Sequence, residues 1–224
     1  MILPRREFLA GGIAATLVQP ANGRTYPLGF DTHRDGLVYV PGGYRDGTPA
    51  KLMLLFHGAG GSASRSAAWF PLADTFGVVV LAPDSRDERS WDAVLGDWGP
   101  DVEFVARALR QTVNRWSIDR SRMCVAGFSD GASYSLSFGI GAGDVFSHVA
   151  AFSPGLMTPR DKRGTPRIFI SHGTSDPVMP IDETSRKFVP ALKKLGYDVT
   201  FQEHEGGHSV PASIVQEAFA WFAK

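Results

Sequence analysis

From residue 37 onward, short β-branched apolar runs alternate with longer stretches of helical period. That alternation predicts an α/β fold, with a mostly parallel central sheet and helices on both faces. Two further observations agree. Several apolar runs lack the polar alternation of a half-exposed strand, as strands covered on both faces must. The 224 residues, 43% of them apolar, suffice for one sizeable core and leave no room for a large cap or second domain.

In chain order, residues 1–23 differ from the rest. Arg5-Arg6-Glu7-Phe8-Leu9 resembles the twin-arginine export motif, and residues 9–18 are a mildly apolar stretch too short to span a bilayer stably. Ala21-Asn22-Gly23 then offers the small residues that a signal peptidase needs. The segment predicts a signal peptide over 1–23, read by the twin-arginine machinery, and an exported domain over 24–224, periplasmic or secreted. A frayed amphipathic helix is the competing reading. No later run reaches the ~18 apolar residues of a membrane helix, so stable insertion of the mature domain is not expected.

Strands are expected at 37–40, 51–56, 78–82, 122–128, 148–152, 167–171 and 197–203. Val102, Val105, Ala106, Leu109, Val113 and Trp116 recur at helical steps and predict a helix over 101–116. Tyr134, Leu136 and Phe138 mark a second helix and Phe188, Leu192 and Leu195 a third. Ile214, Val215, Ala218, Phe219 and Phe222 mark the last, with Pro211 in its first turn. Residues 84–100 form an unusually long connection that should overhang the carboxyl edge of the sheet.

Charge and composition exclude several partners. The 23 basic and 23 acidic residues cancel, so nothing recruits nucleic acid or an anionic membrane. Cys124 is the single cysteine, which rules out an intrachain disulfide; its apolar strand setting reads as an inert buried thiol. No nucleotide-binding glycine motif and no clustered metal ligands occur, so no cofactor and no metal are expected.

The chemistry converges on Gly127-Phe128-Ser129-Asp130-Gly131, placed between a predicted strand and a predicted helix. A strand that turns this sharply into a helix holds the serine Oγ outward, and glycines on both sides let the backbone pack closely. The string alone arises by chance roughly 0.2 times per chain of this composition, so its surroundings decide. A serine hydroxyl needs a base, and the base needs a group to fix its tautomer. His208 lies in the glycine-rich Glu205-Gly206-Gly207-His208-Ser209 loop before the last helix, whereas His204, its nearest rival, ends a strand. Asp176 follows the 167–171 strand at the same edge of the sheet, with Asp182 as the alternative acid. The chain order Ser129, Asp176, His208 matches the nucleophile-elbow class and differs from the other two serine-protease orders.

An oxyanion needs two preorganised donors. These are expected from the backbone N–H groups of Asp130, after the serine, and Ala59, in the Phe56-His57-Gly58-Ala59-Gly60-Gly61 loop; His57 is expected to shape that loop. Trp91, Trp98, Phe128, Met157 and Met179 are candidate substrate-binding residues. For the two tryptophans the competing reading is that they pin the 84–100 loop to the core.

With these motifs in hand, the chain resembles the carboxylesterase, phospholipase and acyl-protein thioesterase branch of the α/β-hydrolase superfamily. The resemblance rests on the His57-Gly58 loop, the Ser129 elbow, His172-Gly173-x-x-Asp176-x-Val178-x-Pro180, and Gly207-His208 followed by Val210-Pro211. The chain is also similar to polyester depolymerase and feruloyl esterase relatives. The resemblance implies a cofactor-free serine hydrolase acting on a small-molecule ester. One departure is Asp130, where many thioesterases carry glutamine. A peptidase of the same fold and a noncatalytic binding module are the rival classes; the second is expected to lose one of Ser129, Asp176 and His208, and all three are present.

Overall fold

Side-chain direction along the central strands alternates, and the alternation divides the interior into two cores. Leu52, Leu54 and Phe56 of β3 (Ala50–Phe56) enter one core, and Met53 and Leu55 the other. The structure, a computed structural model, describes residues 20–224. The paired arginines and the apolar stretch of the expected export segment lie outside the described residues. Asn22 and Gly23 lie within them, and their amides donate to Asp74 Oδ2 and the Tyr39 hydroxyl, both at 2.8 Å.

Eight strands form one sheet in the order β1-β2-β4-β3-β5-β6-β7-β8. β1 (Arg24–Pro27) and β2 (Gly36–Val40) are antiparallel to their neighbours. The remaining strands run parallel: β3, β4 (Val78–Pro83), β5 (Ile118–Phe128), β6 (His148–Phe152), β7 (Arg167–Gly173) and β8 (Val199–His204). One face is covered by α3 (Pro100–Arg115), α4 (Asp130–Gly141) and α5 (Ser185–Lys194), the other by α1 (Phe70–Phe76) and α6 (Ala212–Ala223). Cys124 is fully buried in β5, and burial pushes its thiol far above the ordinary range, so the thiolate does not form.

All seven expected strands are present, with ends displaced by up to four residues. Besides a 3-10 turn over Ala63–Trp69, three elements were not expected. β1 is short and mostly exposed, so it carries no hydrophobic pattern. α1 spans only seven residues and ends at Gly77 with φ 62°, too short for a helical period to register. α2 (Asp92–Leu95) interrupts the 84–100 connection, which is therefore not a plain loop. No described helix is long and apolar enough to cross a membrane. Between β6 and β7 the chain forms no helix, so nothing caps the carboxyl edge there.

Candidate active site

β5 turns into α4 through a single residue, Ser129, with φ 58° and ψ −122°. Left-handed backbone at a residue with a Cβ costs roughly 1–3 kcal/mol and persists only where the surroundings enforce it. Here the Ser129 amide donates to the Phe152 carbonyl at 2.9 Å, and the Ser129 carbonyl accepts the amides of Ala132 and Ser133. The flanking glycines are required by close approach. A Cβ on Gly131 would lie 2.5 Å from the His57 carbonyl oxygen, and one on Gly127 would lie 2.9 Å from that of Phe56.

The Ser129 hydroxyl points at His208, donating to Nε2 at 2.8 Å. His208 Nδ1–H donates to Asp176 Oδ2 at 2.7 Å. The three residues come from three segments beyond the carboxyl ends of β5, β7 and β8, which parallel pairing brings to one edge. Asp176 Oδ1 accepts the amides of Val178 and Met179, both at 2.9 Å. Burial works to raise the Asp176 carboxyl, but the Met179 amide, the His208 imidazole and the Val178 amide outweigh it and hold the group below the usual carboxylate range. The rivals lie elsewhere. His204 closes β8, where its carbonyl accepts the Thr174 amide, and Asp182 pairs with Arg186 at 2.8 Å while Thr184 stands at the start of α5.

The 57–61 loop runs beside Ser129, so close that a Cβ on Gly58 would lie 3.4 Å from the Ser129 Cβ. Among the described residues, the amides of Ala59 and Asp130 donate to no protein acceptor. Four bonds fix the loop: Trp91 Nε1–H to the His57 carbonyl at 2.8 Å, Arg34 to the Gly61 carbonyl at 3.1 Å, Gly60 N–H to the Arg89 carbonyl at 2.7 Å, and Gly61 N–H to the Gly58 carbonyl at 3.1 Å. His57 is 7% exposed, and burial drives its imidazole below its ordinary value. Its Nδ1–H donates to the Gly58 carbonyl at 2.8 Å while Nε2 accepts the Ser85 amide at 3.1 Å, which fixes the tautomer and engages both ring nitrogens within the loop's own framework.

A cavity of about 340 Å³ opens beside this loop. Phe128, Ala59, Trp69, Arg65 and Val210 line it, and the Phe128 ring also lies 4.9 Å from the His208 ring. The expected pocket therefore needs correction. Trp91 has no exposed surface and stacks on Tyr134 at 5.0 Å, so it cannot touch a substrate; it pins the loop. Trp98 packs on Tyr134 and Phe138 and borders a different concavity on the α3–α4 side. Met157 packs against the α4-side core, and Met179 reaches Gly155 instead of the cavity. Trp69, which also lines the cavity, was missed; as the last residue of the turn following the 57–61 loop, its place in sequence was the available signal. The carboxylate of Asp130 accepts the Ser90 hydroxyl at 2.5 Å and ties the 84–100 segment to the elbow.

A model of the phospholipase/carboxylesterase family matches residues 96–224, more than half of the chain. The chain belongs to that family. Among solved structures, an S-formylglutathione hydrolase (FrmB) from Staphylococcus aureus superimposes with a TM-score of 0.73 over 92% of this chain and 98% of that one, at 14% identity. A ferulic acid esterase from Anaeromyces mucronatus, solved with ferulic acid, gives 0.66 over 93% and 92%, at 18% identity. At these identities the likeness shows the α/β-hydrolase fold. In sequence, the Aspergillus niger protein named "Probable feruloyl esterase C" is 26% identical over 180 residues, 77% of this chain. The match spans 63% of that relative's length.

Proposed function

We propose that this family member is a serine carboxylic ester hydrolase that works through an acyl-enzyme on Ser129. The observation that carries the reading is the unbroken line of hydrogen bonds from Ser129 Oγ through His208 to Asp176. Ser129 Oγ attacks the ester carbonyl carbon while its proton passes to His208 Nε2, and Asp176 stabilises the imidazolium that results. Charge developing on the carbonyl oxygen is met by the free N–H groups of Asp130 and Ala59, donors held rigid before the substrate arrives. His208 then returns the proton to the leaving alkoxide. Water, deprotonated by the same base, releases the acid.

The substrate class is a soluble ester with a small to medium acyl or aryl group. Support comes from the bounded cavity lined by Phe128 and Trp69, and from the 153–166 connection, which has no amphipathic helix to open at a lipid surface. Each methylene that enters the cavity adds ~0.8 kcal/mol until the wall is reached. Aromatic acyl esters are the favoured members, because Phe128 and Trp69 offer ring faces and the similar proteins include feruloyl esterases.

The test is kcat/KM across p-nitrophenyl esters from acetate to palmitate, with emulsified triolein beside them. Rates should climb over the first few carbons, then level, and Ser129→Ala should abolish both turnover and fluorophosphonate labelling. Turnover by that variant would refute the assignment; a steady rise to palmitate with interfacial activation would favour a lipase. Export by the twin-arginine route belongs to the same proposal, and unchanged fractionation after Arg5→Lys with Arg6→Lys would refute it.

A further inference from the structure

Asp176 is served by a second histidine that the mechanism above does not use. His172 is the sixth residue of β7, and the two-residue period puts it on the same face as Ile168 and Ile170, toward α5. There its side chain is fully buried, as is that of Asp176. The Ser185 hydroxyl, at the first turn of α5 and itself without exposed surface, lies 2.7 Å from Nδ1. On the other side of the ring, Nε2 lies 2.7 Å from the Met179 carbonyl oxygen and 3.3 Å from Asp176 Oδ2, the oxygen that also receives His208.

Both groups facing Nε2 are pure acceptors, so this nitrogen carries the proton, and Nδ1 accepts from the serine. We propose that His172, with its tautomer set by Ser185, is a positioning residue for Asp176: its Nε2–H is shared between the Met179 carbonyl and the carboxylate, and so orients Oδ2 toward His208. The inference rests on the hydrolase reading for its kinetic consequence, but its tautomer can be tested without activity. The ionisable groups around the pair are Asp176 and His208, Glu203 on β8, and Arg186 on α5, which binds Glu203 at 2.7 Å and also pairs with Asp182. Burial holds the His172 imidazole below its ordinary value, against the opposing pull of the Met179 carbonyl and the Asp176 carboxylate.

A donor shared with His172 draws charge from the carboxylate. Without it, Asp176 accepts more strongly from His208, favours the imidazolium, and the acid limb of the kcat/KM profile moves to higher pH. His172→Leu should lower kcat about 10- to 100-fold, as expected for loss of a hydrogen bond to a charged group, and shift that limb upward by about half a unit. His172→Gln, whose amide nitrogen reaches the Nε2 position, should recover most of both. Ser185→Ala should reproduce the shift in milder form, and Ser185→Thr should not. Long-range ¹H–¹⁵N spectra of the unsubstituted protein should show His172 as the Nε2–H tautomer. An Nδ1–H tautomer, or equal losses in the Leu and Gln variants with an unmoved acid limb, would overturn the proposal and leave His172 a packing residue. Absence of esterase activity in the unsubstituted protein would instead count against the hydrolase reading, with the tautomer result standing alone.

Discussion

Replacing Trp91 by phenylalanine separates a loop pin from a pocket wall. The indole is fully buried, donates to the His57 carbonyl at 2.8 Å, and packs on Phe56, His57 and Tyr134 with ring centroids at 4.6, 4.7 and 5.0 Å. Phenylalanine keeps one ring and loses the donor. A buried carbonyl left without that partner costs about 1–3 kcal/mol, and the partly collapsed space adds about 1 kcal/mol. The total, roughly 2–4 kcal/mol, should lower Tm by about 5–15 °C in a chain of this size. Because the freed carbonyl immediately precedes Gly58 and Ala59, the loop proposed to supply an oxyanion donor loosens too, and kcat should fall about tenfold with KM little changed; complete loss of one donor costs about 10²–10³. Urea titration and steady-state kinetics on a short-chain ester measure both. A variant with wild-type stability and a raised KM would refute the pin and restore Trp91 to the substrate pocket.

Two further outcomes follow from the same geometry. Asp176→Asn should preserve the fold yet lower kcat about 10⁴-fold, because an amide N–H facing Nδ1 forces the wrong His208 tautomer; kcat within tenfold of wild type would exclude Asp176 as the orienting group. His148, buried against Trp221 and Phe222, is lowered to about 4 by burial and by Arg167 and Arg122. The unfolded chain takes up this proton near the ordinary value of about 6.5 and the native state does not, so stability is complete above that pH and declines as pH falls toward 4. The loss attributable to His148 is roughly 2–3 kcal/mol, and His148→Phe should flatten the acid side of a stability–pH curve; an unchanged slope would reject this account.

The residues of the elbow and its partners were legible because their signals are local. Ser129 announced itself by glycines at fixed offsets, and Asp176 and His208 by loops that follow predicted strands. The 57–61 loop stood out for the same reason, since its glycines stand directly after β3. Of the pocket only Phe128, which flanks Ser129 in sequence, was legible; the rest was not, because lining a cavity depends on which face of a loop meets which neighbour. Trp91 and Trp98 share a segment with the right exposure in sequence, yet the indole N–H of Trp91 finds a buried carbonyl and turns inward. Arg34 was invisible for a related reason. It bonds the Gly61 carbonyl and the Ser85 hydroxyl from far along the chain, and no short pattern encodes such a contact.

The burial of α4 has a consequence for how activity is lost. Nine of its twelve residues are buried, and Gly139 is packed so closely against Val149 and Val125 that a methyl group would not fit. Asp176 and His208 instead hang from segments whose neighbours Thr174, Ser175, Glu205 and Gly206 are exposed, next to the edge strand β8. Regions with few buried contacts open at lower free energy than the core, so fluctuation should free the acid and base while the serine is still rigidly held. Amide exchange should therefore be slowest in α4 and faster around residues 174–179 and 205–210. Mild denaturant should silence the protein reversibly before its cooperative melting begins.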